Sequence, residues 1–141
     1  MLSIPKLFVA AVPALYAQSD IREVNLPNLE SAGRVEITNV PLVSYINFPG
    51  LRTIEDCPGI EYPLEPALAA NNRGLQLEKK ADQYKDKGEI GQAQKYYEDA
   101  LTEFLKADEA QDALPCVEID VFRKNGERIQ VKLKKLPNQE L

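Results

Sequence analysis

Carboxylates are the one class of side chain in this sequence plentiful enough to suggest acid–base chemistry. Glu61, Glu65, Glu98, Asp99, Glu103, Asp108 and Glu109 supply the inventory of a paired-carboxylate hydrolase, in which one group stays protonated while its neighbour ionises. Nothing else completes a catalytic set. Histidine is absent, which removes the commonest general base, the commonest metal ligand and the usual partner of a Ser or Cys nucleophile. The chain holds no P-loop, GxGxxG, HExxH or GxSxG pattern, so neither a cofactor nor a metal is expected. The carboxylates between Glu98 and Glu109 interleave with Lys95 and Lys106, as on the solvated face of a helix. The first reading is therefore non-catalytic, with a small histidine-free hydrolase as the alternative.

Cys57 and Cys116 are too far apart for a CxxC redox or zinc pattern. They can form one disulfide in an oxidising compartment or stand as two buried thiols; two cysteines fix no framework, and unpaired thiols are the simpler reading. With Lys+Arg 17 against Asp+Glu 22 and a net charge of −5, there is no basic excess to attract a phosphate backbone, and nucleic acid is not an expected partner. The short basic run Lys132, Lys134, Lys135 reads as a solvated face.

The elements that must position these groups fall into distinct stretches. The 141 residues, 44% hydrophobic and 28% charged, suit a soluble globular chain. Residues 1–18 place Lys6 before an apolar run from Leu7 to Ala17, followed by Gln18-Ser19-Asp20. That is the layout of a secretory signal, although Pro13 interrupts the run and Leu15 sits where a small residue is usual. Either it is a cleaved signal, making the protein exported, or it is a buried segment of the fold; export is the first reading. The run is too short for a membrane span. Residues 19–66 carry Pro27, Pro41, Pro49, Pro58, Pro63 and Pro66, a density that forbids long helices and predicts short strands and turns.

From Ala67 to about residue 114 the composition turns to helix formers. Leu77, Ala81 and Tyr84 share one helix face, Gly88 breaks the run, and Ile90, Ala93, Tyr97, Ala100, Leu101 and Phe104 follow at helical spacing. This predicts an antiparallel two-helix hairpin. Residues 115–137 alternate as strands: Val117, Ile119 and Val121, then Ile129, Val131 and Leu133. A three-residue loop Lys124-Asn125-Gly126 sets Val121 opposite Ile129, so a C-terminal β-hairpin with a left-handed Gly126 is expected. Residues 138–141 are a tail.

Two resemblances follow. Leu77, Ala81, Tyr84, Gly88, Ala93, Tyr97 and Ala100 match the consensus sites of a tetratricopeptide repeat over about residues 74–107, with departures at Lys80 and Leu105. The same run is similar to microtubule-interacting and trafficking domains, which require a third helix where the β-hairpin is expected. Either resemblance implies binding of another protein or peptide, and Tyr96 and Leu105, off the main apolar stripe, are the candidate contact residues. A lone repeat lacks the neighbours that build a peptide groove. Separately, Leu26-Pro27-Asn28-Leu29 recurs as Phe48-Pro49-Gly50-Leu51 and looks like the leucine-rich pattern of receptor L-type domains. A solenoid needs about three units and fewer than two are present, the pattern failing at Cys57-Pro58-Gly59, so the recurrence is read as coincidence; a fragment of such a repeat protein is the remaining alternative. The closing segment also looks like the last strands of protease-associated PDZ domains, without the rest of that domain. The expected fold is α+β: a proline-rich short-strand region, a tetratricopeptide-like helical hairpin and a C-terminal β-hairpin, serving as a scaffold or accessory binding subunit.

Overall fold

A computed structural model describes residues 3–4, 22–40 and 42–137. In it the recurrence at 26 and 48 is not a coincidence. Strand β2 (Glu23–Asn25) pairs in parallel with β5 (Tyr45–Asn47), residue for residue at an offset of 22. Strand β3 (Ser31–Ala32) pairs with β6 (Thr53–Ile54) at the same offset, and on its other side with β1 (Ser3–Ile4). The two Leu/Phe-Pro-x-Leu segments are thus equivalent turns of successive coils, and their apolar residues Leu29, Phe48 and Leu51 are buried. Among the described residues two such units stack, with β1 as a further rung beside β3, and other elements close the stack.

The second coil departs from the first at the place where its sequence does. By the 22-residue offset, Cys57 stands where the first coil begins β4 (Val35–Ile37), and no strand forms there. Its position beside β4 is taken by β7 (Val117–Ile119), paired in parallel with Val35 opposite Val117. Cys57 and Cys116 are joined by a disulfide, Cα–Cα 5.5 Å, pinning the returning strand to the coil it completes. The simpler reading of two free thiols is corrected.

Between these points lies the helical hairpin. Helix α1 (Glu65–Asp86) opens with Pro66 in its first turn, where a missing N–H costs nothing. It ends in a Schellman arrangement: Gly88 (φ +78°) allows its N–H to reach Lys85 O and the Glu89 N–H to reach Tyr84 O, both at 2.9 Å. Helix α2 (Ile90–Asp112) then runs back along α1. The α+β class and the antiparallel hairpin stand as expected.

The C-terminal β-hairpin does not form. Val121–Lys135 is a third helix, α3, and Gly126 lies inside it. The segment carries both periods. Val121, Phe122, Asn125, Gly126 and Ile129 make one buried helical stripe, while Val131, an inward residue in the hairpin reading, is 48% exposed. The helical reading prevails because α2 offers a surface for that stripe, with Gly126 seated over Leu101 and Phe104. Lys132, Lys134 and Lys135 occupy the last turn of α3, where cations favour the helix dipole.

The core has two parts. One fills the coils and continues through Leu64, Ala67, Ala107, Val121 and Phe122. The other joins the three helices through Ala81, Ala93, Tyr97, Ala100, Phe104 and Ile129. Apart from β1, the candidate signal segment lies outside the described residues, as does the 138–141 tail. No helix among the described residues is long and apolar enough to cross a membrane.

Candidate functional site: a groove at the coil edge

Strand β5 is the last of its ladder, and what lies beyond it decides what the surface can do. In a parallel pair, alternate residues face the neighbouring strand. Tyr45 N–H donates to Arg22 O at 3.4 Å and Leu26 N–H to Asn47 O at 3.0 Å, so Tyr45 and Asn47 face β2 and, with Val24 opposite Ile46, the main chain of Ile46 points away from it. On this outer side the first carbonyl, Ser44 O, is already occupied. It accepts from Asn71 Nδ2 of α1 at 3.0 Å and from Asn125 Nδ2 of α3 at 2.9 Å.

Those two asparagines begin a polar chain between α1 and α3. Asn125 Nδ2 also donates to Asn71 Oδ1 at 2.8 Å, and Asn125 Oδ1 accepts from Arg128 at 2.7 Å. Arg128 grips Glu78 with two nitrogens, at 2.8 and 2.6 Å, and Lys132 joins Glu78 (2.7 Å) to Asp82 (3.1 Å). Asp82 in turn accepts from the Tyr97 hydroxyl. Burial alone would raise the Glu78 carboxyl, but the bonds from Arg128 and Lys132 outweigh it and hold the group below its ordinary value. Burial, and then Asp82, push the Tyr97 phenol above its ordinary range, so it remains a donor. The chain is a structural brace that fixes where α1 stands relative to β5.

A groove of about 380 Å³ runs between β5 and the first turns of α1, lined by Tyr45–Phe48 on one side and Glu65, Leu68, Ala69 and Asn72 on the other. Ile46 and Phe48 in its floor are buried as whole residues, 2% and 4% exposed. Among the described residues no hydrogen bond reaches the outward N–H and C=O of Ile46 or the N–H of Phe48. Tyr62 stands at the rim, 42% exposed, with φ +52°. A bulky residue in that region is a genuine backbone outlier. It is held by its N–H to Arg52 O (2.7 Å) and by its carbonyl accepting from Glu65 N–H (3.1 Å).

The residues singled out in the sequence lie elsewhere. Tyr96 is half-buried and stacks on Tyr84, centroids 5.3 Å apart, with Lys80 Nζ 5.3 Å from its own centroid; it braces the two helices. Leu105 is 52% exposed. Nine residues along one helix place Tyr96 and Leu105 about half a turn apart in azimuth and roughly 13 Å apart along the axis, so they form no single patch. Of the carboxylates, Asp108 lines a second, polar groove with Asp112, Glu118 and Asp120, and burial raises its carboxyl. Gln111 there is committed to structure, donating to Asp108 Oδ1 and accepting from Ile119 N–H. No group of His, Cys, Asp and Glu among the described residues is disposed to hold a metal ion.

Compared with known protein families, with characterised proteins and with solved structures, the chain gives no match.

Proposed function

We propose that the protein is a non-catalytic binding module whose partner-contacting surface is the groove between β5 and α1. The observation that carries this reading is the concave, partly apolar groove itself, in whose floor no hydrogen bond among the described residues reaches the outward main chain of Ile46 and Phe48. Unbonded main chain at a strand edge is a liability that proteins cover or use, and the first turns of α1 line the groove along this one. The strained, exposed Tyr62 at the rim supports it, since such outliers gather at ligand clamps. The partner class remains the one the helical resemblance implied, another protein or peptide, but the contact surface moves from Tyr96 and Leu105 to this edge.

Site-specific photo-cross-linking tests the reading. A benzophenone amino acid at position 69, in the wall, should yield a discrete adduct with another protein in the native host. The same group at Leu105 should yield none. Adducts at 105 with none at 69 would return the contact surface to the back of α2.

A second reading has one observation in its favour: the raised Asp108 carboxyl in a groove shared with three other carboxylates is the arrangement a carboxylate hydrolase would need. Asp120 Oδ2 is committed to Asn39 N–H and Lys124, which leaves this groove better explained as the anchor of β7 and α3.

A further inference from the structure

We propose that the groove receives an arginine side chain presented by the partner protein; the inference rests on the binding role proposed above and names the partner's anchor. Glu65 is the one charged residue in the lining. It is exposed in the first turn of α1, and its carboxylate has no ion pair or hydrogen bond among the described residues. Other carboxylates of the helical unit are matched: Glu78 by Arg128 and Lys132, Glu103 by Arg73 and Lys106. Arg52, whose carbonyl holds Tyr62 at the rim, is itself paired with Glu61 at 3.1 Å and does not line the groove. A carboxylate in a first helical turn also favours the helix dipole, so Glu65 alone assigns nothing; its neighbours do.

Those neighbours are acceptors and aromatic rings. Asn47 Nδ2 donates to Asn25 Oδ1 at 3.4 Å, which leaves its own Oδ1 free to accept. Across the groove, the Asn72 amide has no bond among the described residues. Tyr45 and Tyr62 add two phenol rings. Main-chain bonds on both sides hold Tyr62 at its φ of +52°, so its place at the rim is fixed.

A guanidinium is the complement of such a site: planar, always charged, with five donors and no acceptor. It can stack on a tyrosine face while bonding a carboxylate through two nitrogens. The apolar wall of Pro49, Leu68 and Ala69 suits its methylene stem. The chain uses the same combination internally, where Arg128 grips Glu78 with two nitrogens and lies 6.0 Å from the Phe104 ring centroid. Lysine would supply the charge without the plane, and a neutral ligand would leave Glu65 unmatched.

The test uses the full, oxidised chain and a phage-displayed random hexapeptide library. Ala69→Arg, which places a cation one helical turn from Glu65, is the blocked control after its amide spectrum shows it folded. Peptides enriched on the wild type and lost on Ala69→Arg should share an arginine, and are then synthesised. Replacing that arginine by citrulline, neutral and of the same shape, should weaken binding at least about tenfold, the scale of a charge-assisted pair. Glu65→Gln should lose about as much, and citrulline measured on Glu65→Gln should add little further loss. The proposal is overturned if citrulline, lysine or Glu65→Gln leaves affinity unchanged, or if the two losses simply add. Enriched peptides without arginine, or a position-69 cross-link without hexapeptide binding, would overturn the anchor while leaving the groove as the binding surface. Absence of both peptide binding and cross-link would remove the two together.

Discussion

Gly74 and Gly126 both sit inside helices, where replacing glycine by alanine normally stabilises by about 0.5–1 kcal/mol. Their neighbours give the two substitutions opposite signs. A Cβ at Gly74 would lie 2.6 Å from the Phe104 ring, and that ring is fully buried between α1 and α2 with nowhere to turn. Gly74→Ala should lower stability by about 1–3 kcal/mol, the range for overpacking a filled core. A Cβ at Gly126 would meet Leu101 at 3.5 Å, an ordinary contact, so Gly126→Ala should be neutral or stabilising in urea unfolding. The second result also separates α3 from the β-hairpin that the sequence suggested, because a left-handed glycine in a turn would lose stability on the same change. At this scale the sequence was partly legible. Small residues at helical spacing announced the close approach of α1 and α2, but nothing in Asn125-Gly126 distinguishes a turn from the inner face of a helix.

Helices α1 and α3 are held together less by their apolar stripes than by the chain from Ser44 to Tyr97. Glu78 is its pivot, 9% exposed at the side chain and bonded to both Arg128 and Lys132. Removing its charge leaves two cations facing each other, so Glu78→Gln should cost about 3 kcal/mol near neutral pH, the scale for breaking a buried pair. The pH dependence has a definite sign. The folded carboxyl lies below its ordinary value, so its contribution is complete above the unfolded glutamate range, near 4.3, and fades as pH falls through the folded value. The gap between wild type and Glu78→Gln should therefore narrow on acidification below about pH 4, which chemical denaturation at a series of pH values will read. The hairpin was legible because Gly88 and two 3.6-period stripes agree. The third helix was not, because Val117 to Leu133 fits period 2 equally well, and only the presence of a helical surface to pack against decides between them.

Across the molecule, two solenoid coils are made self-sufficient by covering elements. The 22-residue recurrence was visible, yet read alone it fell short of the three units a solenoid needs. What the sequence could not reveal is that a strand from the far side of the helices completes the second coil. The breakdown at Cys57-Pro58-Gly59, taken as evidence against a repeat, marks the place where β7 enters and where Cys116 is bonded. The disulfide closes a separation of 59 residues, and a loop of that size restricts the unfolded chain by about 4 kcal/mol. With that closure the helical unit is fixed at the coil edge, where Asn71 and Asn125 bond Ser44 O and the outward main chain of Ile46 and Phe48 has no hydrogen bond among the described residues. The groove was beyond sequence reasoning for the same reason, since it belongs to neither unit alone.

Amide hydrogen exchange in the free, oxidised chain tests that arrangement most directly. The Ser44 and Leu26 amides bond within the ladder and should be protected, whereas those of Ile46 and Phe48, which no described hydrogen bond reaches, should exchange at least roughly 100-fold faster although both residues are buried. Equal protection across Ser44, Ile46 and Phe48 would mean that all three amides are bonded, and would contradict the unpaired groove floor on which the functional account stands.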